Sequence, residues 1–218
     1  MKSVKIKNSS DNWPVGKIVC VGRNYAAHAN ELGNDVPKEP LIFLKTATCL
    51  IDSGENIVHP PYSNDMHHEV ELVLLIGRML KDASDEEADN AVAAYAVGLD
   101  MTLRDLQTEY KSKGNPWTLS KVFDTSAVVS EFKLRKEYQL KGCESIYLKV
   151  NENTRQSSSL DKMIFSPAVI VKYVSSKMTL EKGDLIFTGT PEGVSRVRKG
   201  DFLSGGIEGI GIVETKVI

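Results

Sequence analysis

The sequence predicts one domain of mixed helix and strand, in which short strands predominate. Short runs of β-branched and aliphatic residues recur from residue 18 to the end of the chain, and each is typical of a strand. Helical signals are few, and each covers a short segment. Because 218 residues suffice for a single domain with a sizeable core, we expect residues 1–218 to form one.

The clearest strand is predicted at residues 67–77, HHEVELVLLIG, where Gly77 ends an aliphatic run. Residues 151–153, NEN, are predicted as the turn of a hairpin, and residues 117–121 lead into another strand region. A short N-terminal strand segment is expected within residues 1–16. The remaining strands are predicted at residues 18–21, 41–45, 94–102, 127–129, 145–150, 154–158, 184–187 and in the glycine-rich tail, 205–218.

Helices are indicated by capping residues and by breakers. Asn24 is a predicted N-cap, and Ser84 with Glu87 has the spacing of a capping box. Pro167 suits the first position of a later helix. The predicted helices cover residues 24–32, 84–93, 103–113 and 166–176.

The composition excludes several classes of protein. A formal net charge of −2 gives no basis for binding nucleic acid or a membrane surface, and the longest apolar run is too short to span a bilayer. We expect no signal peptide, because residues 1–7 alternate like a strand. Cys20, Cys49 and Cys143 form an odd set without C-x-x-C spacing, which predicts reduced thiols and a cytoplasmic location.

The strongest chemical signal is the pair of acids in the 67–77 strand. Side chains alternate along a strand, so Glu69 and Glu71 point the same way. Two neighbouring carboxylates repel each other, and burial makes each costlier, which a divalent cation would offset. Asp100, at the end of another apolar strand, is a third candidate ligand. The alternative is a solvated acidic pair at an exposed strand edge.

An all-carboxylate set favours a hard cation, namely Mg2+, Mn2+ or Ca2+, and no Cys/His cluster indicates zinc. Three protein ligands leave coordination positions open, as a catalytic metal requires. His67 and His68 adjoin the ligands, so one of them either orients a ligand or has no such role.

Two further patterns have both a functional and a structural interpretation. On the first predicted helix, His28 and Glu31 are three residues apart and share a face, which fits either an acid/base dyad or a surface pair. Residues 188–193, TGTPEG, either let backbone and hydroxyl groups approach an anionic ligand or form a plain turn.

Taken together, the ordered motifs resemble the fumarylacetoacetate hydrolase superfamily from near Trp13 to the C-terminus. Within it, the runs LDMTLRDLQ at residues 99–107 and KGNPWT at residues 113–118 resemble the short, single-domain acylpyruvase/oxaloacetate decarboxylase branch. The matching segments are VGRNY at 21–25, His28 with Glu31, HHEVE at 67–71, GLDMT at 98–102, PWTLSK at 116–121 and TGTP at 188–191.

This resemblance implies an α+β fold with a mixed, rolled β-sheet core, short peripheral helices and a homodimer. It implies Glu69, Glu71 and Asp100 as ligands of Mg2+ or Mn2+, with Ca2+ as a substitute in a crystal. His28 and Glu31 would be the catalytic dyad on a closing lid, and the variable part of the lid lies between residues 33 and 40. The remaining implied site residues are the catalytic Lys121 and the substrate-binding Arg23, Arg104, Gln107 and Thr190.

The implied activity is cleavage of a small 2,4-dioxo carboxylate (acylpyruvate hydrolysis), oxaloacetate decarboxylation, or both, through a metal-stabilised pyruvate enolate. Alternatives are an isomerase or decarboxylase of 2-oxo-dienoates from aromatic catabolism, an oxaloacetate tautomerase, and a non-catalytic small-molecule-binding homologue. Substrate profiling separates the enzymes. The intact His28, Glu31 and Lys121 argue against a pure binding protein.

Overall fold

The computed structural model describes residues 2–218. Its strands are β1 (Ser3–Lys5), β2 (Asn12–Pro14), β3 (Ile18–Gly22), β4 (Leu41–Lys45), β5 (Leu50–Asp52), β6 (Asn56–Ile57), β7 (Met66–His67), β8 (Val70–Ile76), β9 (Val92–Asp100), β10 (Thr102–Leu103), β11 (Ala127–Val129), β12 (Lys133–Leu134), β13 (Ser145–Val150), β14 (Asn153–Ser159), β15 (Leu185–Phe187), β16 (Phe202–Ile207) and β17 (Gly211–Val217). Its helices are α1 (Ala26–Glu31), α2 (Asp85–Asn90), α3 (Arg104–Ser112), α4 (Thr118–Lys121) and α5 (Pro167–Lys177), with single 3-10 turns at Ala47–Cys49 and Leu160–Lys162.

The strands form two main sheets. The larger sheet has the order β4-β3-β15-β8-β9-β11-β5, with β12 added against β9, and the smaller has the order β14-β13-β16-β17-β6. The larger sheet is mixed, because β15 runs parallel to β3 but antiparallel to β8. Two short ladders, β1–β2 and β7–β10, complete the strand pairing. Mixed sheets with short helices agree with the predicted α+β class.

Strand β8 is buried on both faces, which explains its continuous apolar sequence. Leu72 and Leu74 belong to the core between the two sheets, together with side chains of the smaller sheet such as Leu148. Val73 and Leu75 point the other way, into a second core, which we call the inner core. The inner core also contains Ile18, Cys20, Ala94, Ala96, Ala127, Leu185 and Phe187 from the larger sheet, and Val4 and Ile6 from the N-terminal segment. We call the face of the larger sheet that carries these residues its inner face.

The predicted strand at residues 67–77 is interrupted, and this part of the prediction was wrong. His68 and Glu69 lie between β7 and β8. The partner strand is broken at the same level, since β9 ends at Asp100 and β10 begins at Thr102. One hydrogen bond still crosses the break, from the Asp100 backbone N–H to the Glu69 carbonyl oxygen at 2.9 Å.

Two local predictions were also wrong, and one is confirmed. Asn24 does not cap α1, which begins after Tyr25; its side chain instead bonds to the Phe165 and Thr188 backbones. Residues 118–121 form helix α4 instead of leading into a strand. The capping box of Ser84 is present at the start of α2.

Two structural observations concern the predictions made from composition: the state of the three cysteines, and the length and polarity of the helices. Cys20, Cys49 and Cys143 are free thiols; the first two are buried and the third is exposed. Within residues 2–218, no helix is both long and apolar enough to cross a membrane.

Candidate active site

The three predicted metal ligands converge because of strand register and alternation. On the inner face, Glu71 precedes Val73 and Leu75 along β8, while Asp100 follows the inward-facing Ala94 and Ala96 along β9. Glu71 pairs with Gly98 in the antiparallel ladder, two residues before Asp100, and Glu69 joins them across the break described above. One oxygen from each of Glu69, Glu71 and Asp100 lies within 4.8 Å of the others, and all three residues are buried.

The carboxyl groups differ in their electrostatic surroundings. Burial raises the pKa of Glu71 well above its usual range, and the charges of Asp100 and Glu69 raise it further. The Gly189 N–H donates to Glu71 Oε2 at 2.7 Å. Burial also opposes ionisation of Glu69, but Lys121 and Arg104 outweigh it and hold the pKa of this carboxyl below its usual range.

Lys121, at the end of α4, bridges two of the acids. Its buried Nζ lies 2.8 Å from Glu69 Oε2 and 2.8 Å from Asp100 Oδ2. Burial opposes the charged form, but the charges of Asp100 and Glu69 outweigh it and raise the pKa of the amine above its usual range. Lys121 is therefore a fixed positive charge beside the acids.

A second buried lysine, which the sequence analysis missed, lies behind Asp100. Lys45 Nζ is 2.9 Å from Asp100 Oδ1 and donates to the carbonyl oxygens of Met101 and Ser126 at 3.2 and 3.0 Å. The only sequence signal is that Lys45 shares a strand face with Phe43, which packs on the inner core. A lysine that ends an apolar strand is ordinarily solvated, so this signal is weak.

The donor set fits a hard divalent cation. Within residues 2–218, the buried Asp100 Oδ1 has an ion pair with Lys45 but no hydrogen bond of good geometry, which leaves it able to bind a cation. Glu71 faces two other acids in a buried site, where a cation between the carboxylates would relieve the repulsion. Three carboxylates supply the oxygen ligands that Mg2+ and Mn2+ prefer.

The predicted dyad is assembled on α1. His28 Nδ1 lies 3.4 Å from Glu31 Oε2, and burial lowers the pKa of the imidazole. Both oxygens of Glu31 also accept from the Gly193 N–H at 3.1 Å. Gly193 has φ +92°, and a Cβ at this position would collide with the Arg155 carbonyl oxygen, so only glycine suits it. Glu31 thus ties α1 to the 188–193 loop.

A single cleft collects most of the predicted site residues. Arg104 contacts both Glu69 and Gln107 along its wall. Asp100 lies under Lys121, and Glu31 reaches the cleft through its contact with His28. The structure therefore brings all ten predicted residues together. Those that line the cleft directly are Arg23, His28, Glu69, Glu71, Arg104, Gln107, Lys121 and Thr190.

Gln156, which the sequence analysis also missed, connects the 188–193 loop to residues 68–70, next to Glu69 and Glu71. Its Oε1 accepts from the Val70 N–H at 3.1 Å and lies 3.0 Å from His68 Nδ1. Its Nε2 donates to Thr190 Oγ1 and to the Pro191 carbonyl oxygen, both at 2.8 Å. Gln156 lies in the polar run NTRQSSS of β14, so nothing local distinguishes it from a surface residue.

The two histidines beside Glu69 have ordinary partners. His68 is enclosed by Gln156 and by Ser195, whose Oγ lies 2.9 Å from Nε2. Burial lowers the pKa of His68 to about 4, so the ring is neutral near pH 7. His67 Nε2 lies 3.1 Å from Asp65 Oδ1. Of the two side chains, that of His68 connects the residue next to Glu69 with β14 and with Ser195.

Comparison with known proteins agrees with this geometry. The family described as fumarylacetoacetate (FAA) hydrolase C-terminal matches residues 17–218. The chain belongs to this family. It is 45% identical over 210 residues to the mitochondrial oxaloacetate tautomerase FAHD1 of Bos taurus, an alignment that covers 94% of this chain and 93% of that protein. The Arabidopsis thaliana protein of the same description is 45% identical over 201 residues, covering 92% and 90%.

A solved structure of the family is also very similar. Fumarylpyruvate hydrolase from Pseudomonas aeruginosa, in complex with Mn2+ and pyruvate, aligns with a TM-score of 0.96 and 40% sequence identity. The alignment covers 100% of this chain and 95% of that one. The predicted superfamily and α+β fold class are confirmed, and this member of the fumarylacetoacetate hydrolase family is an enzyme.

Proposed function

We propose that this enzyme uses a divalent cation to act on small 2-oxo and 2,4-dioxo carboxylic acids, hydrolysing acylpyruvates and decarboxylating or tautomerising oxaloacetate. The observation that carries the proposal is the cluster of Glu69, Glu71 and Asp100. Glu69 and Glu71 line one cleft with the fixed charge of Lys121 and the His28 imidazole, and Asp100 pairs with Lys121. The bovine relative named as an oxaloacetate tautomerase and the Pseudomonas relative named as a fumarylpyruvate hydrolase support this substrate class.

In this proposal, Glu69, Glu71 and Asp100 hold Mg2+ or Mn2+. The Mn2+ and pyruvate in the Pseudomonas relative support the assignment. When bound, the cation supplies Lewis-acid polarisation of the 2-oxo group and stabilises negative charge that develops on its oxygen.

The protein's own residues bind and orient the 2-oxo acid. Lys121 presents a fixed ammonium group beside Glu69 and Asp100, where it pairs with the carboxylate of the substrate. Arg104 is held against Glu69 and Gln107, so its guanidinium is already oriented before the substrate binds. Thr190 Oγ1 accepts a hydrogen bond from Gln156, which fixes it in the cleft, and Arg23 completes the set of polar groups.

For an acylpyruvate, His28 accepts a proton from the water that attacks the distal carbonyl. Glu31 at Nδ1 orients the ring and leaves Nε2 as the proton acceptor. The bond between the attacked carbon and the neighbouring methylene then breaks, and its electron pair passes toward the 2-oxo oxygen. Proton return to the methylene carbon gives pyruvate and a carboxylate.

Oxaloacetate requires the same stabilisation of charge but no attacking water. Loss of CO2 leaves the bonding electron pair on C3, from which it spreads onto the 2-oxo oxygen. In tautomerisation, loss of a C3 proton places charge on the same oxygen. One site can therefore serve these reactions, with His28 needed most for hydrolysis.

We also propose that residues 1–218 act as one catalytic domain and that the enzyme is a cytoplasmic homodimer. The free thiols of Cys20 and Cys49 support a reducing compartment. Leu44 on the edge strand β4 and Leu119 on α4 are 45% and 62% exposed, which supports contact with a second copy. Sedimentation equilibrium tests the dimer.

The proposed function is tested by assaying the purified protein with oxaloacetate and with acetylpyruvate. We expect turnover with added Mn2+ or Mg2+, its loss after treatment with a chelator, and recovery when the cation is restored. Turnover that survives complete removal of the metal would contradict the proposed chemistry. Absence of turnover with both substrates in the metal-loaded protein would contradict the substrate class.

A further inference from the structure

The cleft contains two positively charged side chains that have no carboxylate partner among residues 2–218. Arg104 and Lys121 both pair with Glu69. Arg23 and Lys111 line the same cleft, but within the described residues neither lies within 4.0 Å of a carboxylate oxygen. Unpaired positive charges on a cleft wall favour an anionic ligand.

The position of Lys111 on α3 and a neighbouring aromatic ring together hold its ammonium group at the cleft. It lies four residues after Gln107 and seven after Arg104, so the three share one helix face. Its Nζ is 4.9 Å from the centroid of the Trp117 ring. Trp117 in turn packs against Phe43, with ring centroids 6.5 Å apart. The ring face therefore holds the ammonium group at the cleft wall.

The charges that act on Lys111 are mostly positive. Burial, together with the positive charges of Arg23 and Arg104, lowers the pKa of Lys111 to about 8, and the negative charge of Glu69 offsets this shift only in part. A negatively charged group bound between Lys111 and Arg23 would reduce the repulsion between these cations. Each would then gain a charge-assisted hydrogen bond.

Arg23 occupies a strained backbone position that its neighbours maintain. It follows β3 directly and has φ 58°, in the left-handed region that non-glycine residues seldom adopt. Asn24 fixes this bend, because its Nδ2 donates to the carbonyl oxygens of Phe165 and Thr188 at 3.0 and 2.8 Å. Such strain persists where the surrounding structure determines it, and it is concentrated at functional sites.

We propose that Lys111 and Arg23 form a subsite for a second carboxylate of the substrate, at the end remote from the Glu69–Glu71–Asp100 cluster. Unlike Arg104 and Lys121, Lys111 forms no ion pair with any of these three acids within residues 2–218, so its charge is free to pair with the second carboxylate. The enzyme therefore selects dicarboxylic 2-oxo acids over monocarboxylic ones of the same length. The proposal rests on the proposed function, which places the first carboxylate beside the acidic cluster.

The kinetic test compares a substrate with two carboxylates and a substrate with one. In Lys111→Gln, the ratio of kcat/KM for tautomerisation of oxaloacetate, which keeps both carboxylates, to kcat/KM for hydrolysis of acetylpyruvate falls by about tenfold or more, as expected for a lost charge-assisted hydrogen bond. Lys111→Arg retains most of the ratio. The matched control is Lys113→Gln, which removes an exposed lysine paired with Glu109 next to α3 and leaves the ratio unchanged. Equal losses for both substrates, or no loss for either, would overturn the subsite.

A binding measurement separates failure of the subsite from failure of the proposed function. Calorimetry on the Mn2+-loaded protein compares 2-oxoglutarate with 2-oxopentanoate, which have chains of equal length but two carboxylates and one. The wild type binds 2-oxoglutarate more tightly by about tenfold or more, and Lys111→Gln loses this preference. If the wild type turns over neither substrate, the proposed function fails, while this preference still tests the subsite. Equal binding of the two acids by the wild type overturns the subsite.

Discussion

On the inner face of the larger sheet, the side chains of β8 and β9 are charged at one end of the strands and apolar at the other. At one end, Glu71 and Asp100 are buried among lysines and a third acid. A few residues further along the same face, Val73 and Leu75 pack into the inner core with Phe187. Both ends are equally removed from water, but their contributions to the fold are opposite.

The apolar end stabilises the fold, since each buried aliphatic side chain contributes about 1.5–3 kcal/mol through removal from water. The charged end works against folding, because burial and mutual repulsion both disfavour ionised Glu71. A sheet that needed only stability would continue the apolar row. The acids are therefore retained for the chemistry of the cleft, and altering each end separately tests this conclusion.

The largest expected effect comes from Glu71→Gln. It keeps the shape of the side chain but removes a proposed ligand, so we expect turnover to fall by about three orders of magnitude or more, together with loss of Mn2+ binding. Because the substitution also removes a buried acid beside Asp100 and Glu69, the metal-free protein should be at least as stable as the wild type. Steady-state kinetics, calorimetry with Mn2+ and thermal unfolding measure these quantities. A metal-free variant that is clearly less stable would show that Glu71 supports the fold.

A smaller effect is expected from His28→Ala, which removes the proposed base. Acetylpyruvate hydrolysis should fall by about two to four orders of magnitude, and oxaloacetate decarboxylation should fall much less. Equal losses for both reactions would contradict water activation by His28.

The pH dependence provides a more specific test of the dyad. The base must be neutral, and burial lowers the pKa of His28, so hydrolysis should be retained below pH 6.5 and lost only as the pH falls through the lowered pKa. Glu31 raises this pKa, so Glu31→Gln should move the acidic limb of kcat/KM to lower pH. A limb that stays in place in Glu31→Gln would exclude His28 as the titrating group.

The smallest effect on turnover is expected at the apolar end. Leu75→Ala leaves a cavity in the inner core, and we expect the free energy of unfolding to fall by about 2–5 kcal/mol. At temperatures where the variant is folded, kcat/KM should stay within about twofold of the wild type, because the deleted atoms lie away from the acids. Urea unfolding and kinetics on the same preparation test both statements. A loss of turnover comparable to that of His28→Ala would show that the two ends are coupled.

Local features of the sequence allowed prediction of most of the strands and of the proposed ligands. Alternation predicted that Glu69 and Glu71 lie together, and they do, although Glu69 lies in the break before β8; helical spacing brought His28 and Glu31 together. The capping box at Ser84 formed as its spacing indicated. An error occurred where a side chain with a clear local role bonds instead to groups that are distant in the sequence. Asn24 has the chemistry of an N-cap, but the backbones of Phe165 and Thr188 engage its side chain instead.

The family, the order of most strands and helices, and the identity of the three clustered acids could be read from residue type and spacing along the chain. The groups that surround those acids depend on how distant segments pack. The tertiary structure placed Lys45 behind Asp100, used Gln156 to connect Thr190 with Val70, and brought Lys111 into the same cleft as Arg23. Each of these contacts joins segments far apart in the chain. A lysine or glutamine in a polar or terminal position has no local feature that distinguishes solvent from a buried partner, so its role follows only from packing.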